Sequence, residues 1–160
     1  MMPLTPFHLG PAFILWYIFK KHINLAGLLF GSIIVDSKAA VCLIFLGCET
    51  HDPIFHSFFG ALWLGIVVAV IVLLLCSHLK NITTSLKIDD NYSTAAIFSG
   101  ALLGTFSHIV LDICTHSNIF AFWPIYSQPF SISFYWFVQL FAILTTIIAI
   151  LWFVNKVSQK

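Results

Sequence analysis

Five long apolar runs restrict the possible fold more than any other feature of this sequence. They lie near residues 4–19, 25–47, 54–79, 95–116 and 134–154. Each is as long, or nearly as long, as the roughly 20 apolar residues that a helix needs to cross a bilayer. Because lipid offers no hydrogen-bond partners to open backbone groups, we predict an all-α, polytopic transmembrane bundle with four to five membrane helices.

The composition also indicates a membrane-embedded chain. Of the 160 residues, 60% are hydrophobic and 8% are charged, against roughly 25% charged residues in an ordinary soluble domain. No Pro/Gly/Ser-rich linker divides the chain, so residues 1–160 are predicted to form a single domain. The net charge of +1, with lysines but no arginine, gives no indication of a nucleic-acid partner. The expected partner is the lipid bilayer, and the oligomeric state stays open.

The first two apolar runs leave the number of spans uncertain. The first run is short, and the second is interrupted by Gly31, Ser32, Asp36 and Lys38. These runs could form a helical hairpin that breaks near Asp36 instead of two full spans, which is why four to five helices are predicted.

The lysines indicate which end of the bundle faces the cytoplasm. With five spans, six of the seven lysines fall on the same side. They are Lys20, Lys21, Lys80, Lys87, Lys156 and Lys160. The positive-inside rule makes that side cytoplasmic, which predicts an outside N-terminus and an inside C-terminus.

Ionisable residues concentrate in the opposite, outer half of the predicted bundle. With a rise of about 1.5 Å per residue, His8, Asp36 and His108 all lie roughly 20 Å above the lysine side. An Asp at the centre of a membrane helix costs about 2.5 kcal/mol or more, so such residues usually have a function. Seven candidates are placed in or above this outer half: His8, Asp36, His51, His56, His108, Asp112 and His116.

Small residues continue the polar row on the fourth predicted helix. Gly100 and Gly104 precede His108 at four-residue intervals, which is typical of a close helix contact. His56 and Gly60 repeat the spacing on the third predicted helix. We therefore predict that these two helices pack together, with their histidines meeting at the outer end.

Imidazole nitrogen and carboxylate oxygen together suit Zn²⁺, or another divalent ion such as Mn²⁺, Fe²⁺ or Ni²⁺. A catalytic zinc needs only three protein ligands and a water molecule. Seven candidates exceed that number. Either two metal ions bind, or some of the residues orient ligands and move protons.

Four short motifs, in their order and spacing, resemble a known family. They are PLTPFHLGP at residues 3–11, GSIIVD ending at Asp36, HDPIFHS from His51 to Ser57, and SHIVLD ending at Asp112, followed by a Trp-Pro pair at 123–124. Over most of residues 3–125 the sequence resembles the prokaryotic membrane-bound, metal-dependent hydrolases, also described as inner-membrane-associated hydrolases.

This resemblance implies an inner-membrane protein that uses a divalent metal, zinc foremost, for hydrolysis. The metal ligands that it implies are His8, Asp36, His56, His108 and Asp112, with His51 as a further candidate. We assign catalytic proton transfer to His51 and His116, which lie nearer the loops. The sequence departs from the family pattern at Lys38, because relatives often carry a second acidic residue shortly after the position of Asp36.

Three functions are compatible with these residues. The leading hypothesis is a hydrolase that cleaves an ester or phosphoester of a small-molecule or lipid-like substrate, such as a lipid or envelope precursor, at the outer face. The alternative is a metal-ion or proton transporter built on the same His/Asp cluster, although the lower halves of the later helices are almost purely apolar. In a third hypothesis the polar cluster only fixes helix packing.

Overall fold

The computed structural model describes residues 8–41, 53–116, 119–125 and 134–158. Within these ranges the protein is all-helical, with seven helices and no strand. In chain order they are α1 (Leu9–Phe19), α2 (Leu25–Ile34), α3 (Ser37–Val41), α4 (Phe58–Leu74), α5 (Cys76–Ser85), α6 (Thr94–Thr115) and α7 (Tyr135–Ser158). The predicted all-α class is confirmed for this part of the chain.

Fewer helices than predicted are long enough to cross a membrane unaided. Helices α6 and α7, with 22 and 24 residues, meet the requirement for length and apolar character. Helices α4 and α5 together could form a third span, although they meet at an angle of 74°. Helices α1 and α2 are apolar but have only 11 and 10 residues, which corresponds to about 15 Å each. The described helices thus provide two to three candidate spans, and the predicted four to five are not confirmed.

The second apolar run is broken where the sequence predicted an interruption. Helix α2 ends at Ile34 and α3 begins at Ser37, so Asp36 lies in the break. The Asp36 N–H donates to the Ile33 carbonyl at 3.1 Å, a tight turn of the kind that often ends α-helices. The carboxylate of Asp36 is therefore carried by a helix end instead of a helix face.

Helices α2 and α6 cross so closely that their contact requires glycine. A Cβ atom on Gly104 would overlap the Leu28 carbonyl oxygen, and one on Gly31 would overlap the carbonyl oxygen of Ala101. A Cβ on Gly100 would lie 2.5 Å from a backbone oxygen at the start of α2. The glycine row of α6 therefore faces α2.

Helix α4 packs against another side of α6. Ala61 and Leu64 belong to the same buried cluster as Ile109 of α6, and Val68 contributes to a second cluster below it. A Cβ on Gly65 would lie 2.8 Å from the side chain of Leu102. The predicted pairing of these two helices is thus present, with apolar side chains and one glycine of α4 in the contact.

The carboxylate of Asp90 connects several segments at the lysine-side end of the bundle by hydrogen bonds. Asp90, in the loop before α6, accepts hydrogen bonds from Trp16 Nε1 at 3.0 Å, Asn24 Nδ2 at 2.8 Å and the Leu25 N–H at 3.0 Å. Asn24 also caps α2, since its side-chain oxygen accepts from the Gly27 N–H. These bonds fix the start of α2 and hence the position of its other end.

Helix α7 packs against α1 and leaves most of its surface apolar and exposed. Phe13 of α1 lies 5.2 Å from the Trp152 ring, centroid to centroid. Trp136 and Phe137 at the other end of α7 are 82% and 73% exposed. In a membrane protein such side chains are suited to contact with lipid tails.

Candidate metal centre

The ends of several helices bring ionisable side chains to one place. Asp36 lies in the break between α2 and α3, and His56 lies in the turn before α4. His108 and Asp112 are one turn apart on α6, and His8 immediately precedes α1. The break after α2, the turn before α4, α6 and the start of α1 thus meet at the end of the α2–α6 contact that is farther from Lys20 and Lys21.

The turn that carries His56 is held by its neighbour. The Ser57 hydroxyl donates to the Ile54 carbonyl at 2.6 Å and accepts from the Gly60 N–H at 3.0 Å. The first residue of α4, Phe58, donates its N–H to the Ala121 carbonyl. The imidazole of His56 is 4% exposed, so its position is fixed by packing as well as by the cap.

Four side chains place one ligand atom each in a common volume. The ligand atoms of Asp36, His56, His108 and Asp112 all lie within 4.8 Å of one another. His108 Nε2 lies 3.2 Å from Asp112 Oδ2 and 3.4 Å from Asp36 Oδ1. His56 Nε2 lies 3.4 Å from that same Asp36 oxygen and 3.9 Å from Asp112 Oδ2.

Four of the six separations between these ligand atoms fit a tetrahedral metal site. Ligand atoms that sit about 2.1 Å from a zinc ion are roughly 3.4 Å apart in a tetrahedron. The four nitrogen–oxygen distances between 3.2 and 3.9 Å lie close to that value. Two imidazole nitrogens and two carboxylate oxygens are also a donor set that divalent zinc accepts.

The orientation of the His108 ring supplies a second argument for a cation. His108 Nδ1 lies 2.7 Å from the Ser32 carbonyl oxygen. Because a carbonyl only accepts, Nδ1 must carry the hydrogen, and in a neutral imidazole Nε2 is then a lone pair. This Nε2 atom has no hydrogen-bond partner within the described residues. His108 Nε2 faces the carboxylates of Asp36 and Asp112. A lone pair would face these negative charges unfavourably, so Nε2 carries a second proton or binds a metal ion.

Burial makes a cluster of two carboxylates without a bound cation energetically unfavourable. His108 is 1% and Asp112 4% exposed, whereas the side chain of Asp36 is 17% exposed. Two carboxylates taken out of water without a compensating cation cost several kcal/mol each. A divalent ion would neutralise both carboxylates, and a histidine N–H bonded to a backbone carbonyl is the usual support for a metal-binding imidazole.

His8 lies against the cluster but outside the four-residue group. Its Nε2 is 3.8 Å from Asp112 Oδ1, and its ring stacks on His108 with centroids 4.1 Å apart. The structure thus brings His8 to the edge of the candidate site, next to Asp112, instead of into the shared volume.

Comparison with known proteins identifies the family. The whole chain, residues 1–160, matches the family model described as YdjM inner membrane protein. The chain belongs to this family. No curated protein and no solved structure matches it. Membership agrees with the apolar helices in placing this YdjM-family protein in the inner membrane.

The two predicted proton-transfer residues have different positions. His116 follows the last residue of α6, is half-buried, and donates its backbone N–H to the Asp112 carbonyl at 2.8 Å. His51 lies outside the described residues. Their catalytic assignment in this YdjM-family protein remains a prediction.

One supporting residue of the site was missed from the sequence. In the sequence Ser32 is only one of several polar or small residues that interrupt an apolar run, yet its carbonyl oxygen orients His108. A signal for it does exist. Gly104 and His108 are one turn apart on α6, so backbone that approaches Gly104 closely continues past His108.

Proposed function

We propose that this YdjM-family protein is a membrane-bound, metal-dependent hydrolase that cleaves an ester or phosphoester. The metal site would be formed by Asp36, His56, His108 and Asp112, with His8 beside them. The observation that carries the proposal is the convergence of four ligand atoms, two imidazole nitrogens and two carboxylate oxygens, within 4.8 Å of one another. Zinc is the foremost candidate, and Mn²⁺, Fe²⁺ or Ni²⁺ would suit the same donors.

A bound divalent ion would supply a water molecule of lowered pKa and a positive charge beside the reacting ester. The chain's own residues would do the remaining work. The Ser32 carbonyl holds His108 in the tautomer that presents Nε2 to the shared volume. His8, whose Nε2 lies 3.8 Å from Asp112 Oδ1, would accept a proton from the water. The partly exposed Asp36 marks the side from which a substrate would arrive.

We further propose that the site works on the outer face of the membrane, with four to five membrane-embedded helices, the N-terminus outside and the C-terminus inside. The lysine-rich turn after α1 and the loop before α6 meet, because Asn91 Nδ2 donates to the Lys21 carbonyl at 2.7 Å. The candidate site lies at the opposite ends of α1, α2 and α6. The positive-inside rule then places it in the outer half. A small-molecule or lipid-like substrate, such as an envelope precursor, fits that location.

The buried face of α6 favours hydrolysis over transport. A transporter would need polar groups that continue from the cluster toward the lysine side. Below His108 the buried residues of α6 are apolar or neutral: Ala96, Ile97, Gly100, Ala101, Gly104 and Thr105. The ionisable residues of this helix end at the cluster.

The test is hydrolysis by the purified protein before and after metal removal. Chelator treatment is expected to abolish cleavage of chromogenic ester and phosphoester substrates, and Zn²⁺ is expected to restore it. His56→Ala should abolish activity, whereas His78→Ala, an exposed histidine on α5, should retain it. Cleavage that ignores the chelator and His56→Ala would overturn the proposal, and metal flux into proteoliposomes without cleavage would favour a transporter.

A further inference from the structure

Helix α4 runs alongside a candidate span, and α5 turns away from it. Ala61 of α4 shares a buried cluster with Ile109 of α6, and Val72 shares another with Ile97, so the two helices are antiparallel. The 17 residues of α4 extend for about 25 Å, most of the thickness of a bilayer's hydrocarbon core. After Leu74 the chain bends by 74°. Helix α5 therefore runs nearly perpendicular to the direction in which α4 and α6 would cross the membrane.

Helix α5 has an apolar side and a polar side. At about 100° per residue, Cys76, Leu79 and Ile82 fall on the apolar side. Cys76 and Leu79 pack against the buried cluster that contains Val72 and Ile97. The residues of the polar side are all exposed: Ser77, His78, Lys80, Asn81, Thr84 and Ser85. This division is typical of a helix that lies at the boundary between hydrocarbon and water.

Two hydrogen bonds hold α5 in this direction. The Thr83 hydroxyl donates to the Lys80 carbonyl, so the hydrogen between the Thr83 and Tyr92 oxygens, which lie 3.2 Å apart, comes from Tyr92. The Ile88 N–H donates to the Thr83 carbonyl at 2.8 Å. Because Ile88 and Tyr92 belong to the loop before α6, this loop fixes α5 at the lysine-side end of α6.

Exposed apolar side chains at the bend and on α5 indicate contact with lipid. Leu74 is 78%, Leu75 43% and Ile82 55% exposed. A helix surrounded by water would leave these side chains without an apolar partner, and a helix surrounded by hydrocarbon would bury the charge of Lys80 at a high cost. The interface between hydrocarbon and headgroups suits both sides of α5.

Lysines give this surface an excess of positive charge. Lys80 lies on the polar side of α5, Lys87 follows the helix, and neither has an ion-pair partner among the described residues. Lys21 belongs to the same end, because its carbonyl accepts from Asn91 Nδ2 in the loop before α6. Asp89 of that loop is exposed and offsets one of these three charges. A positive surface at the level of the headgroups favours phospholipids with a net negative charge.

We propose that α5 lies in the headgroup layer on the lysine side of the membrane, where Lys80 and Lys87 bind anionic glycerophospholipids. The partner is a lipid instead of a soluble phosphate, because the apolar side of the same helix needs hydrocarbon next to the headgroups. The proposal is independent of hydrolysis, since α5 and the candidate metal centre lie at opposite ends of α6.

Fluorescence quenching tests the position of α5. The fluorophore nitrobenzoxadiazole is attached to Asn81→Cys or to Ile82→Cys, in the full-length protein with its native cysteines replaced by serine, in phosphatidylcholine vesicles. Iodide in the water should quench the label at residue 81 several times more strongly than the label at residue 82, and a nitroxide on the lipid acyl chain should show the opposite order. Equal quenching of the two positions by iodide would overturn the in-plane position, whether α5 stands in water or crosses the hydrocarbon.

The label at residue 82 also measures lipid selectivity. Trace phosphatidylglycerol or phosphatidylcholine, each with a nitroxide near the headgroup end of one acyl chain, is added to the same vesicles. Phosphatidylglycerol should quench at a severalfold lower mole fraction, because each lysine near the surface favours an anionic headgroup by roughly fivefold, and high salt should reduce the difference. Replacing Lys80 and Lys87 together by glutamine should make the two lipids equal. Lys38→Gln, on α3 at the other end of the bundle, is the matched control and should leave the preference unchanged.

A label on the lipid-exposed middle of α7 separates local binding from a general enrichment of anionic lipid. At Leu144→Cys, whose parent side chain is 51% exposed, the two lipids should quench equally. Equal quenching at residue 82 of the otherwise unaltered protein, or a preference that survives loss of both lysines, would overturn headgroup binding. The same preference at residue 144 as at residue 82 would also overturn it.

Discussion

At the residue scale, the candidate chemistry depends on which nitrogen of His108 carries its hydrogen. The Ser32 carbonyl fixes that hydrogen on Nδ1, and Nε2 is left facing the carboxylates of Asp36 and Asp112. Each carboxylate alone could be neutralised by a protonated imidazole. Two carboxylates and a second imidazole within the same few ångströms instead form a complete set of ligands for one divalent ion.

Replacing Asp36 with Asn should weaken metal binding without a change in side-chain size. The substitution removes one negative charge from the shared volume, and we expect the dissociation constant for Zn²⁺ to rise at least tenfold in competition with a chelating dye. Asp89→Asn removes an exposed carboxylate in the loop before α6 and should have no effect. Equal affinity in Asp36→Asn and the wild type would show that Asp36 is not a ligand.

The sequence identifies the ionisable members of this cluster because of their cost in a membrane. An Asp or a His deep in an apolar run needs a partner, and counting residues from the lysines places His8, Asp36 and His108 at one depth. The same counting cannot find the Ser32 carbonyl or the Asp90 carboxylate as supports. Every residue has a carbonyl, and which one meets His108 depends on how two helices cross.

At the scale of the elements, the cluster depends on the contact between α2 and α6. Asp36 and the Ser32 carbonyl come from the end of α2, whereas His108 and Asp112 come from α6. Close approach at Gly31 and Gly104 sets the distance between these two halves. Any side chain added there has to separate the ligands as well as the helices.

Gly104→Ala should therefore lower both stability and metal affinity. Alanine favours helix by about 1 kcal/mol over glycine, but its Cβ would overlap the Leu28 carbonyl oxygen. We expect a net loss of about 1–3 kcal/mol in the free energy of unfolding, as is typical of overpacking, and weaker Zn²⁺ binding. Ser99→Thr, which adds one carbon on the exposed face of α6, is the control. A Gly104→Ala protein as stable as the wild type would contradict the close contact.

Asp90→Asn should release the lysine-side end of α2. One oxygen that accepts from Asn24 and Leu25 would become an NH₂ group facing those donors. Hydrogen bonds to a charged group contribute about 1.5–3 kcal/mol, so the thermal unfolding midpoint in detergent is expected to fall by several degrees. The neighbouring Asp89→Asn should stay within about 0.5 kcal/mol of the wild type. Equal midpoints for the two variants would rule out this role of Asp90.

The helices and the break near Asp36 follow from the apolar runs and their interruption, but other helix ends do not. The run from 54 to 79 contains no proline to explain the bend after Leu74. Hydropathy measures the cost of exposing a segment to water. It does not measure how a helix bends or ends against its neighbours, which is why the described helices give two to three candidate spans by length and the predicted four to five are not confirmed.

At the scale of the whole molecule, the two ends of the bundle carry different residues. Lys20, Lys21 and Lys87 lie at one end with the Asp90 hydrogen bonds, and the histidines and carboxylates of the candidate site lie at the other.

This difference between the two ends predicts the orientation of the protein in the membrane. Fluorescent protein fused to the C-terminus should fluoresce, because it folds in the cytoplasm, whereas alkaline phosphatase at the same position should stay inactive. Fusions after Asp89, in the loop before α6, should give the same result. Active alkaline phosphatase at either point would place the candidate site on the cytoplasmic side and contradict the proposed outer location.

The most direct test of the metal centre is the metal content of the purified protein. Elemental analysis is expected to find about one equivalent of a divalent transition metal in the wild type and in Asp89→Ala, and almost none in Asp112→Ala, whose substitution removes a ligand from the shared volume. Circular dichroism would show that all three proteins are equally helical. A wild-type protein without stoichiometric metal after exposure to Zn²⁺, or an Asp112→Ala protein that keeps it, would contradict the metal centre.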